Sequence, residues 1–134
     1  MGRRGQNGEQ GFTLVELMIV MLIIAVLLAL AVPKYTSSVR QAKEAVLKED
    51  LHVLRGAIDA YTVDKQKAPT SLDDLVSAGY LKAIPEDPFT RRADSWQPVV
   101  TDTLRAIDQT DPGIDDVHSG STESSLEGQP YASW

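Results

Sequence analysis

The feature that most constrains this sequence is an uninterrupted apolar run over residues 17–32, entered through Gly11-Phe12-Thr13-Leu14-Val15-Glu16 and closed by Pro33. Residues 12–32 number 21. As an α-helix rising about 1.5 Å per residue, that length spans roughly 31 Å, enough for a bilayer hydrocarbon core. Glu16 is the exception within it. A carboxylate costs about 2.5–3.5 kcal/mol to place in hydrocarbon, so its presence points to a task. The residues before the run are polar and glycine-rich, and Arg3 and Arg4 hold that end on the cytoplasmic side, which places the remainder of the chain across the membrane. An ordinary secretory signal ends in small residues before its cleavage point. Ala29 and Ala31 approximate that pattern, but Pro33 and Lys34 follow directly.

Beyond Lys34 the composition becomes charged while a helical stripe persists. Leu47, Leu51, Leu54, Ile58 and Tyr61 recur at helical spacing, with Lys43, Glu44, Lys48, Asp50, Arg55 and Asp59 on the other face. The apolar span and this stripe together predict one helix of about 50 residues, with Pro33 interrupting it because proline removes a backbone donor and crowds the preceding turn. Pro69-Thr70 ends that helix. Thr70 or Ser71 then caps a short second one through Ala78, with Asp73 and Asp74 at its positive end and Gly79 closing it. After Pro88, short apolar clusters alternate with turn residues and predict two or three antiparallel strands, the first near residues 96–101.

Two stretches resemble a known family. Gly11-Phe12-Thr13-Leu14-Val15-Glu16 resembles the class III signal of type IV pilins and type II secretion pseudopilins. Gly79-Tyr80-Leu81-Lys82 followed by Ile84-Pro85-Glu86-Asp87-Pro88 is similar to the middle of the major pseudopilins. The resemblance implies an α+β, type IV pilin-like fold: a long N-terminal helix, membrane-spanning in its first half, on a small head with a short antiparallel sheet and irregular C-terminal loops. It implies a leader over residues 1–11 removed by prepilin peptidase between Gly11 and Phe12, N-methylation of Phe12, a filament-core helix over 12–33 and a periplasmic head over 34–134. Glu16 becomes the fifth residue of the processed chain. There its carboxylate would neutralise the terminal ammonium of a neighbouring subunit, because either charge alone in a low-dielectric core is costly. Pro33 is likewise an expected assembly position.

Pilins of this class usually close their final region with a disulfide, and this chain has no cysteine. In the major pseudopilins calcium takes that stabilising role, so the resemblance implies a calcium site. The candidate is the segment 111–121, with Asp111, Asp115, Asp116 and Ser119 as ligands, since calcium takes six to eight oxygens from carboxylates, carbonyls and water. Its spacing is not that of an EF-hand, and the same composition also makes a solvated turn without an ion. His118 is read as a loop histidine bonded to the backbone, Trp134 as a packing anchor, and Arg91-Arg92 as solvated or ion-paired.

A formal charge of −6 with no basic, aromatic-interleaved patch argues against nucleic-acid partners. No acid, base and nucleophile fall together, so a membrane-anchored enzyme or metal-binding domain is the weaker class. The reading is therefore a non-enzymatic structural subunit, held as a single-pass protein in inner-membrane lipid. It self-associates into a helical filament on an inner-membrane assembly platform with minor pseudopilins, and serves type II secretion. A surface pilus for adhesion or motility is the alternative.

Overall fold

The computed structural model describes residues 2, 11, 13–101 and 112–134. The chain divides into two compact units, Met1–Ser37 and Ser38–Trp134. One helix, α1 (Leu14–Lys65, 52 residues), runs from the first into the second.

Thr13 opens α1. Its hydroxyl accepts the Glu16 amide at 3.1 Å, which satisfies one orphan donor of the first turn, and its carbonyl accepts the Leu17 amide at 3.0 Å as the first bond of the helical ladder. Glu16 lies in that first turn, where its charge complements the helix dipole. The apolar residues that follow are exposed all round, from Leu14 at 75% to Val32 at 55%, and the segment is long and apolar enough to cross a membrane.

The predicted interruption at Pro33 is corrected by the structure: α1 continues through it. Proline removes one donor from the ladder, and two hydroxyls of the turn that follows bond back to main-chain carbonyls. Thr36 Oγ1 donates to the Pro33 carbonyl at 2.9 Å and Ser37 Oγ to the Lys34 carbonyl at 3.4 Å.

In the second unit, α1 becomes one wall of the head. Leu47, Leu51, Leu54, Ile58 and Tyr61, the stripe legible in the sequence, are all buried, joined by Ala57. They meet Leu75, Trp96, Ile114, Val117 and Tyr131, with Leu72, Tyr80, Leu81, Ile84, Phe89 and Trp134 at the margin. Aromatic rings close the core: Phe89 stacks on Tyr131 at 4.0 Å, and Tyr61 meets Tyr80 edge-on at 5.6 Å. The buried Trp96 indole N–H is satisfied by the Pro85 carbonyl at 2.7 Å.

Helix α2 (Leu72–Ser77) follows a short connection. Asp74 Oδ2 accepts the Thr70 and Ser71 amides at 2.9 and 3.1 Å and the Thr70 hydroxyl at 2.5 Å, tying the entry to the first turn. At the exit, Gly79 has φ +86°. The Tyr80 amide bonds the Leu75 carbonyl and the Gly79 amide the Val76 carbonyl, a Schellman closure that favours glycine at that position.

Strands β1 (Gln97–Thr101) and β2 (Gly113–His118) pair antiparallel. Val99 opposes Asp116 while Val100 opposes Ile114, so Asp115 is the extra residue of a β-bulge. Reading residues 111–121 as a loop is thus corrected for Gly113–His118. The bulge lets Ile114 and Val117, three apart, both enter the core, where a regular strand would alternate with period two. The chain ends in a 3₁₀ turn, Tyr131–Ser133.

Candidate functional site

Two groups of residues carry the functional argument: the entry to α1 and the polar frame that holds the last residues onto the head. At the entry, Gly11 has open space around it and Thr13 caps the helix, with Glu16 exposed one turn in. Phe12 and residues 3–10 lie outside the described residues, so the expected cleavage and methylation position is placed only by Gly11 and Thr13 on either side. Thr13 was not singled out in the sequence, although Thr13-Leu14-Val15-Glu16 has the Thr-x-x-Glu spacing of a capped N-terminus.

On the head, α1 presents a row of polar side chains to the final segment. Arg40 donates from Nη2 to the Ser124 carbonyl at 2.7 Å and from Nε to the Tyr131 hydroxyl at 3.2 Å. Glu44 Oε1 accepts the Tyr131 hydroxyl at 2.7 Å and the Leu126 amide at 3.0 Å. Burial, with Glu44 beside it, raises the Tyr131 hydroxyl pKa, partly offset by Arg40. Lys48 stands 4.9 Å over the Trp134 ring, which meets Tyr131 edge-on at 5.0 Å.

Arg55 is the hub of the next turns. It donates from Nε to Asp116 Oδ1 at 2.6 Å, and from Nη2 to the main-chain oxygens of Val117 at 3.0 Å and Trp134 at 2.7 Å. Partial burial of Asp116 opposes its ionisation. The Val117 amide and the Arg55 guanidinium outweigh it and hold the carboxyl below its ordinary range. His118 Nδ1 lies 2.5 Å from the Trp134 main-chain oxygen, the backbone bond expected for this histidine.

A second polar centre was not recognised in the sequence. Asp87 is fully buried. Its Oδ1 accepts the Phe89 and Thr90 amides at 2.8 and 3.3 Å, and its Oδ2 accepts the Ser119 hydroxyl at 2.5 Å. Ser119 Oγ in turn accepts the Ser121 amide, and Ser121 Oγ the Glu123 amide. The available signal was Asp87-Pro88, because an aspartate before a turn bonds the amides two and three residues on. Gly120 completes this centre: a Cβ there would collide with the Ser95 carbonyl.

The candidate calcium ligands are each engaged with a different neighbour. Asp115 accepts the Thr101 hydroxyl at 3.1 Å, Asp116 is held by Arg55, and Ser119 donates to Asp87. Among the described residues no three His, Cys, Asp or Glu side chains gather to hold a metal ion. Asp115, Asp116 and Ser119 are thus each held by a different partner, and Asp111 lies outside the described residues.

The model for the prokaryotic N-terminal methylation motif matches residues 6–32. Type II secretion system core protein G of Pseudomonas aeruginosa is 34% identical, with 90% of this chain and 92% of that protein covered. The Klebsiella pneumoniae core protein G is 35% identical over 60% of this chain and 69% of that protein. Competence protein ComGC of Halalkalibacterium halodurans is 38% identical over 55% of this chain and 72% of that protein. No solved structure matches the chain. A methylation motif opening a long apolar helix, with a small α+β head beyond it, defines the type IV pilin-like class. Within that class, the near full-length match places this chain in the family of type II secretion system core protein G, the major pseudopilins.

Proposed function

We propose that this chain is made as a membrane-held precursor, cut by prepilin peptidase between Gly11 and Phe12, methylated at Phe12, and polymerised into the periplasmic filament of a type II secretion system. The observation that carries this is the methylation motif over residues 6–32 continuous with a head matched across the length of core protein G. The work of such a subunit is mechanical, with no reaction at a residue of its own.

Three physical steps follow. The exposed apolar half of α1 needs lipid before assembly and neighbouring helices afterwards, since exposing that area to water is unfavourable. Processing releases an ammonium at Phe12, which pairs with Glu16 of a neighbour and offsets the cost of burying that carboxylate. The positively charged Arg3 and Arg4 remain in the cytoplasm, so the head lies in the periplasm and lengthens the filament away from the inner membrane. The assembly platform and minor pseudopilins are the partners this requires.

Intact mass spectrometry of protein purified from membranes of cells with prepilin peptidase tests the reading. The expected mass is that of residues 12–134 with one methyl group. A chain that retains residues 1–11 in that background overturns processing, and with it the filament role.

A further inference from the structure

Among the described residues, the indole N–H of Trp134 is the one buried side-chain polar group that no acceptor meets. A buried tryptophan N–H ordinarily finds a partner, because stranding a donor away from water is costly. Trp96 obeys that rule through the Pro85 carbonyl. Trp134 instead lines a cavity of about 280 Å³ between α1 and residues 125–134. Ligand pockets run from roughly 300 to 1,000 Å³, so this one is sized for a single ring and not for an extended chain. Its lining specifies the kind of ring. Glu44 and Glu127 share it with Lys48 and Arg55, so the formal charges cancel and an ion of either sign would meet a like charge. Glu44 and Arg55 are already engaged, the first by the Tyr131 hydroxyl and the Leu126 amide, the second with Asp116 and two main-chain oxygens. Ser125 Oγ accepts the Glu127 and Gln129 amides and keeps its own hydrogen to donate, and the Gln129 side-chain amide can both donate and accept. Leu51 adds an apolar patch.

We propose that this cavity binds a neutral sugar unit, with Trp134, Ser125 and Lys48 donating to its oxygens and Glu127 and Gln129 accepting its hydroxyls. A ring that carries donors and acceptors around an apolar C–H face answers every group in the lining. A carboxylate would leave Glu127 opposed, and an amine would leave the indole N–H unanswered. Charge alone thus does not select the ligand; the mixture of donors and acceptors does. The walls come from α1 on one side and residues 125–134 on the other, so occupancy also braces that segment against the helix and stabilises the head. The same chemistry is offered by a free monosaccharide and by a unit of a glycan chain.

The test follows the indole N–H signals by NMR in the full isotope-labelled chain, held in micelles of a detergent that has no sugar head group. The chain has two tryptophans. Trp134→Phe assigns the signal of interest, and Trp96, whose N–H is already bonded, is the internal reference. N-acetylglucosamine should move the Trp134 signal saturably, leave that of Trp96 in place and raise the melting temperature. Glu127→Ala and Gln129→Ala, at exposed positions, should each weaken binding about tenfold while melting without ligand stays that of the unsubstituted chain. The trimer of the same sugar separates the sources: tighter binding than the monomer assigns a glycan chain, and equal binding a free sugar. Sodium acetate, tetramethylammonium chloride and glycerol should not reproduce the shift. An equal response to any of those three, a response shared by Trp96, undiminished binding in both alanine variants, or no response to the sugar overturns the site. The filament reading stands in each case.

Discussion

Asp87 shows how much a single residue can organise. Its carboxylate is fully buried and accepts from two amides and one hydroxyl, which spreads its charge over donors drawn from two separate parts of the chain. Replacing it with alanine would strand the Phe89 and Thr90 amides and unseat Ser119. Leaving buried donors unsatisfied is expensive, so Asp87→Ala should cost about 3 kcal/mol of head stability. Asp87→Asn retains an oxygen for the two amides and should cost less than half of that. Urea titration of both variants measures the difference, and equal losses would show that charge, not hydrogen bonding, dominates. Asp50 has the opposite character. Burial, with Asp87 and Glu49 nearby, raises its pKa above the ordinary value of 3.8, so its ionisation opposes folding at neutral pH. Asp50→Asn should therefore raise the melting temperature at pH 7. That advantage should vanish below the ordinary carboxylate pKa of about 3.8, where the unsubstituted residue is protonated in both states.

Among the elements, the long helix was legible because its signals are local and strong: an apolar run, then five core residues at helical spacing. The short helix α2 was legible within a residue because Thr70, Ser71 and Gly79 mark its ends chemically. Strand β2 was not. The bulge at Asp115 breaks period-two alternation, and two adjacent aspartates read as a loop until Arg55, sixty-one residues away, is seen to hold one of them. The same distance hid the head-locking frame, since nothing local to Arg40, Glu44 or Arg55 tells that residues 124–134 lie against them. Arg55 gives the sharpest test at this scale. It joins α1 to β2 and to the final residue through three donors, with its side chain 37% exposed. After allowance for solvent screening, Arg55→Ala should cost about 2 kcal/mol. Arg55→Lys should recover little, because one ammonium cannot reproduce the fork that serves three acceptors. Chemical denaturation of both variants reads this directly; recovery of full stability by lysine would reduce the contact to simple charge attraction.

At the scale of the whole molecule, the two units have opposite solvent requirements. Every buried hydrophobic residue of the described chain falls between Leu47 and Tyr131, while the apolar half of α1 is exposed throughout. The head therefore has a hydrophobic core of its own. A chain begun at Ser38 should be soluble without detergent and melt cooperatively, as circular dichroism will show; aggregation or a featureless melt would mean the head needs the first half of α1. The same soluble head allows the pH dependence to be worked out. Asp74, hydrogen-bonded first by the Thr70 hydroxyl and then by the Thr70 and Ser71 amides, has its pKa lowered from 3.8, as has Asp116, where the Val117 amide and Arg55 outweigh desolvation. A carboxylate with a depressed folded pKa adds stability that is present above the unfolded value and is lost as pH falls through the folded one. Stability should then hold between pH 7 and pH 5 and decline below about pH 4, tempered by relief at Asp50. Arg55→Ala should flatten part of that decline by removing the cation that holds Asp116 ionised. If its acid profile matches that of the unsubstituted head, the Arg55–Asp116 contact is not what makes the head acid-sensitive, and the other lowered carboxyls, Asp74 at the start of α2 and Asp94 beside Arg92, carry the effect.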